Sequence, residues 1–303
     1  MDAPRLLGGT GNPRLLDAVA HARGIDAEQR SLERFPDGEL HIVLGRAQQG
    51  RHVFIIQSTG PPVDEHIVEL VMLADACKRS GAARISAVVP YFGYARQDRR
   101  DHVGEAVGAK VIAQLIQSVG IDELLVIDPH SAALEAMFDI PVHGLTAVPS
   151  LAAALQPLVD EEAVVVAPDL GAVKLAERYA ATLGLPVAIV RKTRLSGEEV
   201  RAVDVVGDVR NRWPVIVDDM ITTGGTIEAA ALALLARGCR PDLVVAATHG
   251  LFVGPAATRL KALPLRHVLV SDTLPAAPGI GIPVAAVGIH DLIDDAIAMR
   301  VQT

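Results

Sequence analysis

The stretch Val215-Ile-Val-Asp-Asp-Met-Ile-Thr-Thr-Gly-Gly-Thr226 sets the carboxylates of Asp218 and Asp219 just ahead of a loop of hydroxyls and glycines. Such a loop suits an anion. Its backbone N–H groups and the hydroxyls of Thr222, Thr223 and Thr226 can surround a phosphate, while Gly224 and Gly225 permit positive φ and close backbone approach. The segment Ile227 to Ala236 has helical character, and a helix N-terminus favours negative charge. Val215 to Val217 reads as a buried parallel strand, which puts the acids at its carboxyl end, where open α/β sheets bind ligands. Carboxylates beside an anion cradle fit a ligand with both phosphate and hydroxyls, such as a sugar phosphate.

Other groupings carry chemistry of a different kind. Pro90 to Arg100 reads Pro-Tyr-Phe-Gly-Tyr-Ala-Arg-Gln-Asp-Arg-Arg. Arg96 and Arg99, on either side of Gln97 and Asp98, suit phosphates, and Gln97 with the nearby rings suits a base, so this loop could hold a nucleotide. Asp128-Pro-His130 follows an apolar run, and a carboxylate with an imidazole at a strand end can coordinate a divalent cation or order water around one. Lys192-Thr-Arg194 spaces two cations i, i+2, which on extended backbone share one side. Arg34-Phe-Pro-Asp-Gly-Glu39 reads as an Asp-Gly turn. Each of these, taken alone, also fits an ordinary polar turn or a loop of surface ion pairs.

Together they resemble one family. Val215–Thr226 resembles the phosphoribosyl pyrophosphate (PRPP) loop of phosphoribosyltransferase-fold proteins, and Pro90–Arg100 looks like the ATP loop of the ribose-phosphate pyrophosphokinases. The resemblance implies that Arg96, Gln97, Asp98 and Arg99 bind ATP, and that Phe35, Asp37 and Glu39 meet its adenine from a neighbouring subunit. It therefore implies a homo-oligomer built from dimers, commonly a hexamer. It assigns ribose 5-phosphate to Asp218, Asp219, Thr222, Thr223, Gly224, Gly225 and Thr226, and Mg²⁺ to the vicinity of His130 and Asp169. Lys192 and Arg194 would lie on a flexible loop that closes over the reacting phosphates.

The implied reaction moves the β,γ-pyrophosphoryl group of ATP to the C1 hydroxyl of ribose 5-phosphate, giving PRPP and AMP for nucleotide biosynthesis. The chain departs from the family pattern at Pro36 (often serine), Pro129 (usually leucine) and Thr222 (often an acid or serine). A PRPP-consuming phosphoribosyltransferase would explain Val215–Thr226 but neither Arg96–Arg99 nor Phe35–Glu39. A silent regulatory homologue would be expected to have lost the Lys192/Arg194 pair or the metal-site residues. A paralogue with another sugar phosphate or another donor nucleotide stays open.

The elements that must position these groups follow from length and pattern. A chain of 303 residues, half of them hydrophobic but only 3% aromatic, suggests two domains of about 150 residues packed with Ala, Val, Leu and Ile. Strand Val53–Ile56, loop Gln57–Gly60, helix Val63–Arg79, a stop at Gly81, strand Ile85–Val89 and then Tyr91-Phe-Gly93 are echoed later. The echo is strand Val215–Val217, loop Thr222–Thr226, helix Ile227–Ala236, a stop at Gly238, strand Leu243–Ala247 and then His249-Gly-Leu-Phe252. The predicted architecture is α/β, with two duplicated phosphoribosyltransferase-type domains, each a mostly parallel sheet flanked by helices.

The first domain, 1–146, would carry the ATP loops, and the second, 147–303, the ribose 5-phosphate loop, leaving the last residues able to pack back on the first. The earlier loop lacks paired acids and runs into Pro61-Pro62, so it is not expected to bind a sugar phosphate in the same way. Further helices are predicted at Pro13–Arg23, Gly104–Val119, Leu145–Leu158 and Val173–Leu183. Further strands are predicted at Leu6–Thr10, Glu39–Leu44, Leu124–Ile127, Ala163–Val166 and Val187–Val190, with an exposed mobile loop at Thr193–Arg201.

A formal net charge of −8 argues against nucleic-acid and anionic-membrane partners. Two cysteines, Cys77 and Cys239, give no disulfide framework and suit a reducing compartment. No run approaches 18 apolar residues and no signal-peptide pattern opens the chain, so the expectation is a soluble cytoplasmic protein.

Overall fold

The computed structural model describes residues 3–195, 200–277 and 279–301. The chain divides into two compact units. Unit 1 holds Met1–Thr146, Thr273–Pro275 and Ile289–Thr303, and unit 2 holds Ala147–Asp272 and Ala276–Gly288.

In unit 1 the chain runs β1 (Arg5–Gly8), α1 (Pro13–Arg23), β2 (Arg30–Arg34), β3 (Leu40–Leu44), β4 (His52–Ile56), α2 (Val63–Arg79), β5 (Arg84–Val89), α3 (Gly108–Ser118), β6 (Glu123–Ile127) and β7 (Val142–Leu145). The strands β1-β4-β5-β6-β7 form one parallel sheet in that order, and β2-β3 is a separate antiparallel hairpin. α1 forms where the sequence predicts it. The Asn12 side chain accepts from the Leu15 N–H at 3.3 Å and Gly24 ends the helix at φ +67°, satisfying donors and acceptors that a bare terminus would leave open.

Successive strand residues face opposite ways. Leu7, Val53, Ile55, Ile85, Ala87, Val89, Leu124 and Val126 pack with Leu70, Leu73 and Cys77 of α2 and Ala109, Ala113 and Ile116 of α3, all buried. α1 packs along α8 (His290–Val301), which returns to unit 1 from the end of the chain. Arg23 holds Asp294 at 2.8 Å, and Arg300 reaches the buried carboxylate of Glu123 at 3.3 Å.

Unit 2 runs α4 (Val148–Leu155), β8 (Ala163–Ala167), α5 (Val173–Leu183), β9 (Val187–Leu195), β10 (Val200–Val206), β11 (Trp213–Ile221), α6 (Gly225–Ala236), β12 (Leu243–Gly250), α7 (Ala256–Lys261), β13 (Leu265–Ser271) and β14 (Val284–Val287). Its sheet has the order β10-β9-β8-β11-β12-β13-β14, parallel except for the β9/β10 pair. Ile227, Ala230, Ala231 and Leu234 of α6 and Leu260 of α7 pack on Val166, Ile216, Val245 and Val268. α4 and α5 also pack on the sheet, α5 against β8, β9 and β11 and α4 against β12, β13 and β14.

The two sheets repeat one plan. β1-β4-β5-β6-β7 and β8-β11-β12-β13-β14 share their order, and in each an antiparallel hairpin is inserted between the first helix and the second strand. In unit 1 that hairpin stands apart from the sheet. In unit 2 it continues the sheet edge beside β8.

Several boundaries differ from the sequence expectation. α3 begins at Gly108, not Gly104, because Gly104 sits at φ +88°. The predicted helix Leu145–Leu158 splits, since Leu145 closes β7 beside β6 and α4 starts only at Val148. β9 runs on to Leu195 and pairs with β10, so most of the predicted loop Thr193–Arg201 is strand, and residues 196–199 lie outside the described ones. Among the described residues no helix is long and apolar enough to cross a membrane. Cys77 and Cys239 are both buried free thiols, and burial pushes their pKa values up, to about 12 and about 11.

Candidate active site

The loop expected to cradle an anion lies between β11 and α6 in unit 2. β11 does not end at Val217. Paired with β12 as far as Ile221, it carries Asp218 and Asp219 within its last residues. Gly224 caps α6 at φ +74°, a left-handed conformation that costs a side-chain-bearing residue about 1 kcal/mol or more. Gly225 and Thr226 therefore lie in the first turn of the helix, whose leading N–H groups lack intrahelical partners. The hydroxyls of Thr222, Thr223 and Thr226 have no hydrogen-bond partner among the described residues. Donors in this arrangement can receive a phosphate.

The acids beside it crowd one another. The Asp219 N–H donates to Asp218 Oδ1 at 2.9 Å. Burial first, and then the charges of Asp219 and Asp169, push the Asp218 carboxyl up to about 8. Asp169 follows β8, and its Oδ1 accepts from the N–H groups of Gly171 at 2.9 Å and Ala172 at 3.2 Å, fixing the turn into α5. The three carboxylates are within electrostatic reach of one another, but among the described residues no three such groups stand close enough together to hold a metal ion by themselves.

In unit 1 only part of the Pro90–Arg100 segment is accessible. Tyr91 and Phe92 are buried, and Phe92 stacks edge-on against Phe138 with ring centres 5.9 Å apart. These rings belong to the core, so the reading of all the nearby aromatics as a platform for a base is corrected. Tyr94 remains half-exposed and donates its hydroxyl to Asp64 at 2.6 Å. Arg96 and Gln97 are exposed, and Arg96 has no ion-pair partner among the described residues. Asp98 behaves differently from its neighbours. Its side chain is 7% exposed, and it accepts from Arg99 Nε and Nη2, both at 2.8 Å. The Arg99 and Ser131 hydrogen bonds, together with the charge of His130, hold its carboxyl well below the usual carboxylate range. Asp98 and His130, far apart in sequence, are thus brought together. Asp128 closes β6 at φ +37°.

The Phe35–Glu39 turn caps the β2-β3 hairpin, whose Leu32, Ile42 and Leu44 pack against the unit 1 core. Phe35 N–H donates to Glu39 O at 2.9 Å, Gly38 N–H to Phe35 O at 2.8 Å, and Glu39 N–H to Asp37 Oδ1 at 3.1 Å. Phe35 is 49% exposed and stacks on His41 at 5.2 Å. Arg34 ties this hairpin to Glu65 at 2.6 Å. The first turn of α2 therefore anchors both the hairpin, through Glu65, and the Pro90–Arg100 loop, through Asp64. Lys192 and Arg194 lie on β9 opposite Val203 and Arg201 of β10, and their side chains fall outside the described residues.

Sequence reasoning missed what braces the unit 2 cradle. Val253 N–H donates to Thr222 O at 2.9 Å, and Arg259 Nη1 donates to Thr223 O at 3.2 Å. Arg259 also pairs with Glu228 of α6 at 3.3 Å. Nothing local marks Arg259, which stands 36 positions beyond Thr223.

Two parallel-sheet units, one with an anion cradle behind paired acids, define a phosphoribosyltransferase-type class of protein. Residues 4–120 match the N-terminal domain of ribose phosphate pyrophosphokinase, and residues 148–261 match the phosphoribosyl transferase domain. The chain is 38% identical over 303 residues to the ribose-phosphate pyrophosphokinase of Aquifex aeolicus (strain VF5), covering 100% of this chain and 97% of that one. It is 41% identical over 274 residues to the Streptomyces avermitilis enzyme of the same name, covering 89% and 84%. The crystal structure of phosphoribosylpyrophosphate synthetase from Mycobacterium smegmatis superposes with a TM-score of 0.93 at 33% identity, covering 99% of each chain. The chain belongs to the ribose-phosphate pyrophosphokinase family. That family's reaction passes the β,γ-pyrophosphoryl group of ATP to the C1 hydroxyl of ribose 5-phosphate, yielding PRPP and AMP.

Proposed function

We propose that this chain carries out that reaction with the acceptor held by unit 2 and the donor by unit 1. The open cradle after β11 carries the reading. Its Thr222, Thr223 and Thr226 hydroxyls and the leading N–H groups of α6 are left for the 5-phosphate, while Asp218 and Asp219 accept from the ribose hydroxyls. Arg96, Gln97 and Arg99 take ATP, with Asp98 fixing the Arg99 guanidinium.

Phe35, Asp37 and Glu39 present a rigid turn whose exposed ring suits the adenine of a neighbouring copy, which makes the working form a homo-oligomer based on dimers, up to a hexamer. Lys192 and Arg194 neutralise charge as the C1 hydroxyl attacks the β-phosphorus and AMP leaves.

The metal required is Mg²⁺. Asp169 in unit 2, a carboxylate, and His130 in unit 1, an imidazole beside Asp98, are each suited to bind a hard cation or to order water around one. When bound, Mg²⁺ would screen the phosphate charges. The protein's own groups orient the substrates and exclude water. Two buried free thiols suit the reducing cytoplasm.

The test is a coupled assay with Mg²⁺, ribose 5-phosphate and a panel of nucleoside triphosphates. AMP should form from ATP only when ribose 5-phosphate is present. AMP release without the sugar, or turnover of PRPP with a free base instead, would overturn the reading.

A further inference from the structure

α7 and the segment leading into it form the back wall of the unit 2 cradle. Two consecutive loop carbonyls are held from this side, Thr222 O by the Val253 N–H at 2.9 Å and Thr223 O by Arg259 Nη1 at 3.2 Å. A Cβ added to Gly224 would meet Ala256 Cα at 3.6 Å and the Leu260 side chain at 3.4 Å, and one added to Gly225 would meet Arg259 Nη1 at 3.1 Å. The guanidinium therefore lies directly against the turn that opens α6.

Its position has two consequences. The Thr223 carbonyl and the Gly224 N–H belong to one planar trans peptide, so holding the carbonyl fixes the direction of the amide. Glu228 stands in the first turn of α6, where a carboxylate favours the helix but repels an incoming anion. Arg259 Nε lies 3.3 Å from Glu228 Oε2, with the two side chains 37% and 34% exposed. The pair leaves the helix end without the net negative charge that would oppose a phosphate.

We propose that Arg259 is a positioning residue for the sugar-phosphate cradle, orienting the Thr223–Gly224 peptide and cancelling the charge of Glu228. This rests on the reading of Thr222–Thr226 as the 5-phosphate loop. Calorimetric binding of ribose 5-phosphate, with steady-state kinetics on the full-length protein, tests it.

Arg259→Ala should weaken ribose 5-phosphate binding and raise its KM about fivefold to tenfold, the scale of one partly screened charge-assisted hydrogen bond. The KM for ATP and kcat should stay within about twofold. Arg259→Lys, which keeps a charge and a donor, should recover part of the loss, and in a Glu228→Gln background the penalty of Arg259→Ala should shrink. A fall in kcat with unchanged KM would overturn the role. So would a penalty undiminished in the Glu228→Gln background together with no recovery by lysine. Thr226→Val separates the two readings. If it weakens binding while Arg259→Ala does not, the role of Arg259 alone falls. If neither variant weakens binding, the loop assignment falls with it.

Discussion

After β4 and again after β11 the chain makes the same move, from a buried strand through a hydroxyl- and glycine-bearing loop into a helix, yet the two loops use their polar groups in opposite ways. After β4, Ser58 and Thr59 are buried, and their hydroxyls are consumed inside unit 1. Ser58 donates to Thr273 O at 2.5 Å, and Thr59 donates to Tyr91 O at 3.0 Å while accepting from the Gly93 N–H at 2.7 Å. A Cβ on Gly60 would collide with the Leu274 side chain. That loop is packed shut by the returning segment Thr273–Pro275. After β11 the threonine hydroxyls lack partners among the described residues, and paired acids stand beside them. One backbone plan thus yields a structural joint in one unit and, in the other, the loop proposed as the ligand cradle. The hairpins diverge in a similar manner, β2-β3 ending in the exposed Phe35 turn and β9-β10 extending a sheet edge that bears Lys192 and Arg194.

The sharpest break between the hairpins should come from Lys192→Ala. Stopped-flow and calorimetry should show kcat lowered by about 10²–10³-fold with ribose 5-phosphate affinity nearly intact, as expected for a group that acts on developing charge. Lost affinity with unchanged turnover would move Lys192 out of that role.

The loops themselves are separated by a matched pair. Thr226→Val should weaken ribose 5-phosphate binding by about tenfold or more with little change in Tm. Thr59→Val should leave that binding alone and cost about 1–3 kcal/mol in denaturant unfolding, because it strands the buried Gly93 N–H, while the Tyr91 carbonyl keeps only the Thr59 N–H. Equal effects of the two variants on binding would erase the contrast.

Phe35→Ala should raise the KM for ATP by about tenfold and hardly move Tm, since the ring is already 49% exposed. Mixing Phe35→Ala with Arg96→Ala protomers should restore some sites with normal ATP affinity. A mixture that behaves as the average of its parts would count against a shared site.

A further contrast concerns Asp218 and pH. Its native carboxyl keeps its proton up to about pH 8, whereas the ordinary value is 3.8. The unfolded chain therefore sheds this proton first, and the native state loses stability as pH rises between those values. Relative to Asp218→Asn, measured without divalent metal, wild-type Tm should fall progressively from about pH 4 to about pH 8 and then run parallel. A difference independent of pH would show that the acid is not strained by its neighbours.

Much of the frame was legible in the residues. Asn12 and Gly24 bracket α1, periodic apolar positions give α2 and α5 their full extents, and Val53–Ile56 and Ala163–Val166 are apolar runs long enough only for buried strands. The twelve residues from Val215 to Thr226 also show in sequence the succession of glycine, hydroxyls and helix start on which the proposed anion loop rests. Strand lengths were less legible. β11 runs on through Asp218 and Asp219 because β12 supplies hydrogen bonds to that point, and β7 exists because β6 pairs with it.

Local sequence therefore determined which segments could be helix, strand or cradle, since capping, periodicity and turn chemistry act over a few residues. Only the tertiary structure decided which of two similar loops stays open. Leu274 and Thr273 close the first from more than two hundred positions away, and Arg259 braces the second from 36 positions beyond it. Contacts of that range are set by packing, and no local pattern encodes them.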